Sequence, residues 1–535
     1  MFSVVQRAVR GWRRGARGVA QFRVNRSDCC EQRPPRRVHD PHACAPRDAG
    51  LVLGVYRNDA LPAAAATALT AAARAYDCRV RGKLGKLLKL ASAPGPGEAR
   101  VFYDVDPEHA FVAVAGLGSE CVAPGGHEGR DEAAEAARVA AAAGVRALLP
   151  LRPRELRVES FGRAEAAAEG AALAAWRFDE YRSAPRVPPP ALRLHDDCDE
   201  LGWRSGRLKA EAQNLARHLQ EMPANLLNPT EFAKICVELL CELDINVEVR
   251  TAGWAAARDM GGLASLGRSS VQPPLYVEAS YYGAGAGERP VVLVGKGVTF
   301  NSGSLALKSR EELRHMRGDM AGAAAAVGAL RAAARLRLPL NLRAILPLCE
   351  VMPNGRSPRS GDVVRAGDGC SVRLRQPSRE SRLLLADSLV HARSYWPRCI
   401  VDVGTMSQEL AATLGGAACG CYCNSERLFA LLEAAGAATG DRLWRMPLWG
   451  YYAARVRDTS TADLASSARH RYGDSPHCAA YLRQFVCDSA WAHLDIHNVA
   501  YTRGADCVYL PRGMTGRPTR TLIQLLYNLI ADPKL

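Results

Sequence analysis

No stretch of this sequence approaches the ~18 uninterrupted apolar residues that a bilayer-spanning helix requires, so no membrane span is expected. The N-terminal end has no continuous apolar segment, which argues against a secretory signal. Aromatic residues make up only 6% of the chain. They do not interleave with basic residues in a stripe, and no RNA- or DNA-binding motif is present, so nucleic acid is not the expected partner. The only dense cysteine cluster, "CGCYC" (Cys419, Cys421, Cys423), has no second ligand pair at a spacing that would complete a structural zinc site. No repeat at a fixed period is evident. The first 27 residues contain seven Arg and not one acid.

That last absence leads to what the sequence does contain. The formal net charge is +15, but residues 1–40 hold ten Arg against three acids, a net of +7, leaving +8 spread over nearly 500 residues. Phe2, Val5, Val9 and Trp12 fall on one helical face, with Arg7, Arg10, Arg14 and Arg17 mostly on the other. An Arg-rich, acid-free amphipathic start reads as a mitochondrial transit peptide, so residues 1–40 are expected to be removed or disordered and the protein to be mitochondrial; a basic tail on a cytoplasmic protein is the alternative. Seventeen Cys in a long chain without a secretory signal imply reduced thiols. The alternation in CGCYC puts its three thiols on one face of a strand, where they read as small buried hydrophobes.

At 535 residues the chain is too long for one core, and two domains are expected. After a Pro-, Arg- and Cys-rich segment (28–50), "LVLGVY" (51–56) and "AFVAVAG" (110–116) read as buried strands, and 131–150 and 160–178 as Ala-rich helices. "APRVPPPALRL" (184–194) is the clearest linker, because consecutive prolines forbid helix and central strand. The expected division is an N-terminal α/β domain at 50–183, a linker at 184–205 and a second domain at 206–535. In the second, "VVLVGKGVTF" (291–300), "NLRAILPLCEV" (341–351) and "CIVDVGTM" (399–406) read as strands, and the small-residue run 318–336 as a close-packed helix. Such alternation means an α/β fold: a mixed, mostly parallel sheet covered by helices on both faces, with ligands at the carboxyl ends of its strands.

Three segments sit where those strands end. One carries Lys296, Asn301 and Lys308, one has Asp319 opening a helix, and the third, "RQPSRESRLLLADS" (375–388), carries Ser378, Glu380 and Arg382. Singly they have plain explanations: Asp319 as a helix cap, Glu380 and Arg382 as a surface pair worth ~0–1 kcal/mol. Lys296 between two glycines is harder to set aside, since a long cation in a tight strand-end turn usually has a specific partner. Together they suggest a hydrolytic or an anion-binding cleft.

The segments "VGKGVTFNSGSLALK", "MRGDMAGAAAA", "PLCEVMPNGRSPRSGDVVRA", "SRLLLADSL", "GDRLWRMPL" and "RGMTGRPTRTLIQLL" together resemble the leucyl aminopeptidase (cytosol aminopeptidase) family, from roughly Arg207 to the C-terminus. The N-terminal domain loosely resembles that family's macro-like α/β domain. The resemblance implies a homo-hexamer that releases N-terminal residues from peptides, using two divalent ions (zinc, manganese or magnesium) and a bicarbonate. Carried over by position, it makes Lys296, Asp319 and Glu380 metal ligands, Lys308 the lysine that stabilises the oxyanion, and Arg382 the arginine that holds bicarbonate. Two positions depart from the pattern. The family's TFDSGG reads TFNSGS here, placing Asn301 where an aspartate ligand is expected. Its NTDAEGRL reads QPSRESRL, placing Ser378 at the other. Arg379 replaces an alanine, and Ser304 and Ser381 replace glycines.

An intact site would balance two divalent ions with four carboxylates. This chain offers Asp319 and Glu380, which leaves two ions undercompensated by about two charges, at a cost of several kcal/mol in a partly dry cleft. At most one ion is therefore expected, with Asn301 lending a carbonyl oxygen and Arg379 either pairing with Glu380 or pointing to solvent. Three functions follow: a catalytically impaired member kept for its fold and assembly, an active aminopeptidase with an altered single-metal site, or a binding protein without chemistry.

Overall fold

Val291, Val292, Leu293 and Val294 form an unbroken apolar run, and in the computed structural model they lie at the centre of a nine-stranded sheet with both faces covered. The structure describes residues 49–534 apart from 58–66, 121–126, 184–186, 197, 286, 470–471 and 505–506; the expected N-terminal basic helix and the segment after it lie outside the described residues. Trp491–Asp495, Cys399–Gly404, Val291–Gly295 and Asn341–Val351 run parallel as the middle of this sheet. Leu275–Tyr282 and Asn246–Thr251 extend one side antiparallel, and Cys419–Cys423 with Leu443–Arg445 extend the other. Helices Glu200–Glu221, Ala321–Arg335, Glu426–Thr439 and Thr519–Ala531 cover one face, and Arg382–Arg393 and Asp474–Leu482 the other, each layer enclosing its own apolar core. Cys419, Cys421 and Cys423 are buried together in the first of these cores, where burial pushes the Cys419 thiol to about 12. They are unreactive packing residues.

A second, six-stranded sheet orders Ala99–Tyr103, Phe111–Gly118, Ala49–Arg57, Glu155–Val158 and Ala191–Leu194, with Thr67–Leu69 paired to Ala49–Arg57. Helices Glu132–Leu148 and Ala164–Ala175 pack on it, their alanines letting backbones approach closely. Both domains are thus α/β, as the alternation of elements predicts. The segment expected as a linker is more ordered than its prolines suggest. Ala191–Leu194 pairs in parallel with Glu155–Val158 as an edge strand, and helix Glu200–Glu221 begins within the segment, capped by Asp199. The prolines stop just short of the strand, so no ladder bond is lost.

The stretch 291–300, read as one strand, is two: Val291–Gly295 and Gly297–Asn301. Lys296 N–H bonds to Val403 O, whereas Gly297 onward pairs with Leu348–Val351. Space forces the glycines here. A Cβ at Gly295 would lie 2.6 Å from Ala323 Cα, and one at Gly322 would lie 2.0 Å from Val403 O. The helix Ala321–Arg335 is thereby seated directly on the strand ends, with Asp319 just before it.

Candidate active site

Lys296 leaves the sheet at the break and turns inward, 1% exposed. Its Nζ donates to Asp319 Oδ1 at 2.8 Å and to Thr405 O at 2.7 Å. Thr405 Oγ1 donates to the same Asp319 oxygen at 2.6 Å, and Asn301 Nδ2 donates to Asp319 Oδ2 at 2.8 Å. Three protein donors therefore occupy both oxygens of one buried carboxylate. Asn301 Oδ1 in turn accepts from Gly303 N–H at 2.9 Å. The carbonyl oxygen expected to face an ion instead closes the local turn, and the amide N–H faces the carboxylate. The pairing is complementary: the amide N–H donates to an aspartate oxygen while the amide oxygen accepts from backbone.

The 375–382 loop is arranged differently from expectation. Glu380 is 1% exposed, and its Oε1 accepts from Arg375 N–H (3.1 Å), Gln376 N–H (2.9 Å) and Ser466 Oγ (2.8 Å). Its Oε2 is buried without a partner among the described residues. Burial pushes this carboxyl above its ordinary value, against the opposing pull of Arg382 and the three donors. Arg379 neither pairs with Glu380 nor points to solvent. Its Nη2 donates to Glu409 Oε1 at 2.9 Å, and its Nη1 lies 2.9 Å from Asp474 Oδ2. Arg382, fully buried, donates to Asp474 (3.2 and 3.3 Å), Ser466 O and Arg379 O. Burial alone would push the Asp474 carboxyl up, but Arg382 and Arg379 outweigh it and hold the group below its ordinary value. The arginine expected to hold bicarbonate is thus bound to an internal carboxylate.

Lys296, Asn301, Lys308, Asp319, Ser378 and Arg379 line one cavity of about 190 Å³ at the carboxyl ends of the parallel strands, together with Thr405 and His497. Glu380 and Arg382 are not among its lining side chains. Lys308 reaches no closer than 3.9 Å to Glu312; burial draws its ammonium below the ordinary value, and Lys296 and Arg379 add to this against Asp319 and Glu312. Burial likewise lowers the His497 ring. Sequence reasoning missed Thr405, His497 and Asp474. Thr405 immediately follows the strand end at Gly404 and His497 lies two residues past the strand end at Asp495, positions that mark them; "YGDSPHC" carries no signal for Asp474.

A pair of divalent ions needs several open, convergent carboxylate oxygens. Here Asp319 is saturated by protein donors, Asn301 presents nitrogen, Ser378 supplies a neutral hydroxyl, and Glu380 turns one oxygen to backbone and stands outside the cavity lining. These residues do not fit two ions. Among the described residues, the group of His, Cys, Asp or Glu side chains whose ligand atoms converge within 4.8 Å is Asp106, Glu108 and His109, beside the six-stranded sheet.

Comparison with known proteins establishes the ancestry. Residues 214–523 match the catalytic domain of the cytosol aminopeptidase family, and residues 52–185 its N-terminal domain. The chain belongs to the cytosol aminopeptidase family. It is 40% identical over 488 residues to the cytosol aminopeptidase of Xenopus tropicalis, covering 90% of this chain and 93% of that protein. The human cytosol aminopeptidase is 38% identical over 490 residues, with the same coverage. Among solved structures, the bottromycin maturation enzyme BotP in complex with Mn superposes with a TM-score of 0.76 at 34% identity, over 90% of this chain and 99% of that one. Cytosol aminopeptidases are divalent-metal-dependent hydrolases that act on peptides, and this chain carries their two-domain α/β architecture. No helix among the described residues is long and apolar enough to cross a membrane.

Proposed function

We propose that this chain is a catalytically impaired cytosol aminopeptidase, retained for its fold and its assembly as a homo-hexamer rather than for releasing N-terminal residues. The observation that carries this reading is Asp319: both oxygens are held by Lys296, Thr405 and Asn301, so the carboxylate is already neutralised and bonded without an ion. The Asp474–Arg382–Arg379 cluster supports it in the same way, since Arg382, the residue to which the family resemblance assigns bicarbonate, is already paired with a protein carboxylate. Losing one well-placed electrostatic stabiliser of a transition state costs about 10²–10³-fold, and on this reading the residues present would not hold the second ion. Activity on leucyl substrates is therefore expected below about a thousandth of a typical relative's. Metal analysis of the purified protein, beside a leucyl p-nitroanilide assay with added manganese or zinc, tests this. Two ions per subunit and brisk turnover would sink it.

A single-metal aminopeptidase is the second reading, favoured by Glu380 Oε2, a buried carboxylate oxygen without a partner among the described residues. One ion per subunit together with turnover would select it. The seven acid-free arginines of the first 27 residues support a mitochondrial location. A fusion of residues 1–40 to a fluorescent reporter is expected to enter mitochondria, and a cytosolic signal would reject that location.

A further inference from the structure

A second cavity, of about 340 Å³, lies beside the same loop and shares no lining residue with the first. Arg373, Arg375 and Arg469 line it. The carboxylate among them is Asp458, which pairs with Arg469 at 3.1 Å. Arg375 Nη2 donates to the neutral backbone oxygen of Asp458 at 2.5 Å, while its Nη1 is buried without a partner among the described residues. Arg373 makes no side-chain hydrogen bond or ion pair among the described residues. Three guanidiniums thus face one carboxylate, an excess of two positive charges. Arg469 stands largely in solvent, at 64% side-chain exposure, so what distinguishes the cluster from a solvated basic face is the buried, unpaired Nη1 of Arg375. A buried donor without an acceptor costs about 1–3 kcal/mol, which an arriving oxyanion recovers.

We propose that Arg373, Arg375 and Arg469 form a binding site for a small phosphate dianion. The charge decides between candidate anions. A carboxylate would neutralise half the excess, whereas a phosphate monoester carries about −1.5 to −2 at neutral pH and offers three acceptor oxygens. Guanidiniums present paired N–H groups suited to such oxygens. The backbone N–H of Arg375 holds Glu380, so the loop that shapes the first cavity also fixes one of the three arginines. The proposal is independent of whether the first cavity binds metal or turns over peptide.

Isothermal titration calorimetry of the full chain, without added metal, tests it with inorganic phosphate and glycerol phosphate as separate titrants and acetate as control. Saturable phosphate binding is expected, weakening several-fold between 50 and 200 mM salt as screening grows. Arg373→Gln should weaken it about tenfold. This variant removes no internal contact and so leaves folding intact. Arg375→Gln should weaken it further. Tighter binding of glycerol phosphate assigns the site to phosphomonoesters, and tighter binding of inorganic phosphate assigns it to the free anion; either supports the proposal. It is overturned if wild-type protein gives no saturable heat with either phosphate, if Arg373→Gln binds as wild type does, or if acetate binds as tightly.

Discussion

Two serines stand where the family resemblance expects glycines, and the backbone treats them very differently. Ser381 has φ −59, ordinary helical backbone, so its side chain costs nothing. Ser304 has φ +59, fully buried, with a hydroxyl that finds no partner among the described residues. Left-handed backbone costs an L-residue roughly 1–2 kcal/mol, of which the greater unfolded freedom of glycine takes back part. Ser304→Gly is therefore expected to stabilise the protein by about 1 kcal/mol, read as a higher midpoint in urea unfolding. Asn301 behaves oppositely. Asn301→Asp exchanges a donor 2.8 Å from Asp319 Oδ2 for a second carboxylate. Without metal this should destabilise by about 1–3 kcal/mol. Manganese should reverse the loss, and adding Ser378→Asp should restore tight metal binding together with measurable peptidase activity. If unfolding midpoints of Asn301→Asp match wild type with and without manganese, the donor role assigned to Asn301 fails. At this scale the departures from the expected motif at Asn301 and Ser378 were legible, because substituted motif positions are visible in a single chain. The sequence did not show which contacts form instead. Thr405 and Asp474 act through contacts 86 and 92 residues away, and no local pattern encodes such pairings.

Elements were legible where apolar runs were long. The strands at 341–351 and 399–404 and the helix at 321–335 lie where the pattern placed them, because burial on both faces demands unbroken hydrophobic runs. The domain junction was read less well. Its prolines spoke for a free linker, yet an edge strand and a helix start there, and a buried network of Arg138, Glu169 and Arg520 ties the helices of the six-stranded sheet to the C-terminal helix. Charged residues buried by tertiary contacts look like surface residues in a sequence. Another such group, Glu159, ties three elements of the six-stranded sheet. Its Oε2 accepts from Gly54 N–H on the central strand (2.8 Å) and from Thr70 Oγ1, the cap of helix Ala71–Arg79 (2.9 Å). Burial pushes its carboxyl up to about 7, with Asp196 adding to the rise and the two donors opposing it. The folded state thus binds this proton more tightly than the unfolded state does. The resulting stabilisation is complete below about pH 4.5 and is lost as pH rises through 7. A shift of this size corresponds to about 3 kcal/mol. Glu159→Gln, which stays neutral, should flatten that part of the stability profile and leave the protein more stable than wild type at pH 8. Parallel urea titrations between pH 5 and 8 check this; parallel curves for the two proteins would refute it.

For the whole molecule, the question is what would hold copies together in the proposed hexamer if ions do not. Large apolar side chains stand in solvent on the single chain: Trp396 at 81% exposure, Trp449 at 67% and Tyr451 at 57%, with Trp449 stacked on Tyr452 at 6.3 Å. Scattered exposed apolar residues are ordinary, but neighbouring aromatics at one helix start make a surface suited to burial against another subunit. Permanent interfaces bury roughly 2,000–5,000 Å² and draw their strength from such surface. Nothing in that energy depends on the interior cavity, where Lys296 and Arg379 are already paired with Asp319 and Asp474. Self-repulsion is the opposing term. The net charge of +15 works against assembly, yet +7 of it lies in residues 1–40. Removing that segment should therefore tighten assembly, while salt near 0.15 M screens the remaining +8 over about 8 Å. Multi-angle light scattering at micromolar concentration is expected to give about six times the 57.6 kDa chain mass. The same mass should persist in EDTA, because the fold needs no ion to neutralise Asp319. Chains beginning near residue 41 should hold that mass at lower salt than the full-length protein. A monomer in every condition would remove the assembly role. A hexamer that falls apart in EDTA would instead show that metal does structural work, and the reading of the Asp319 cluster as self-sufficient would fall with it.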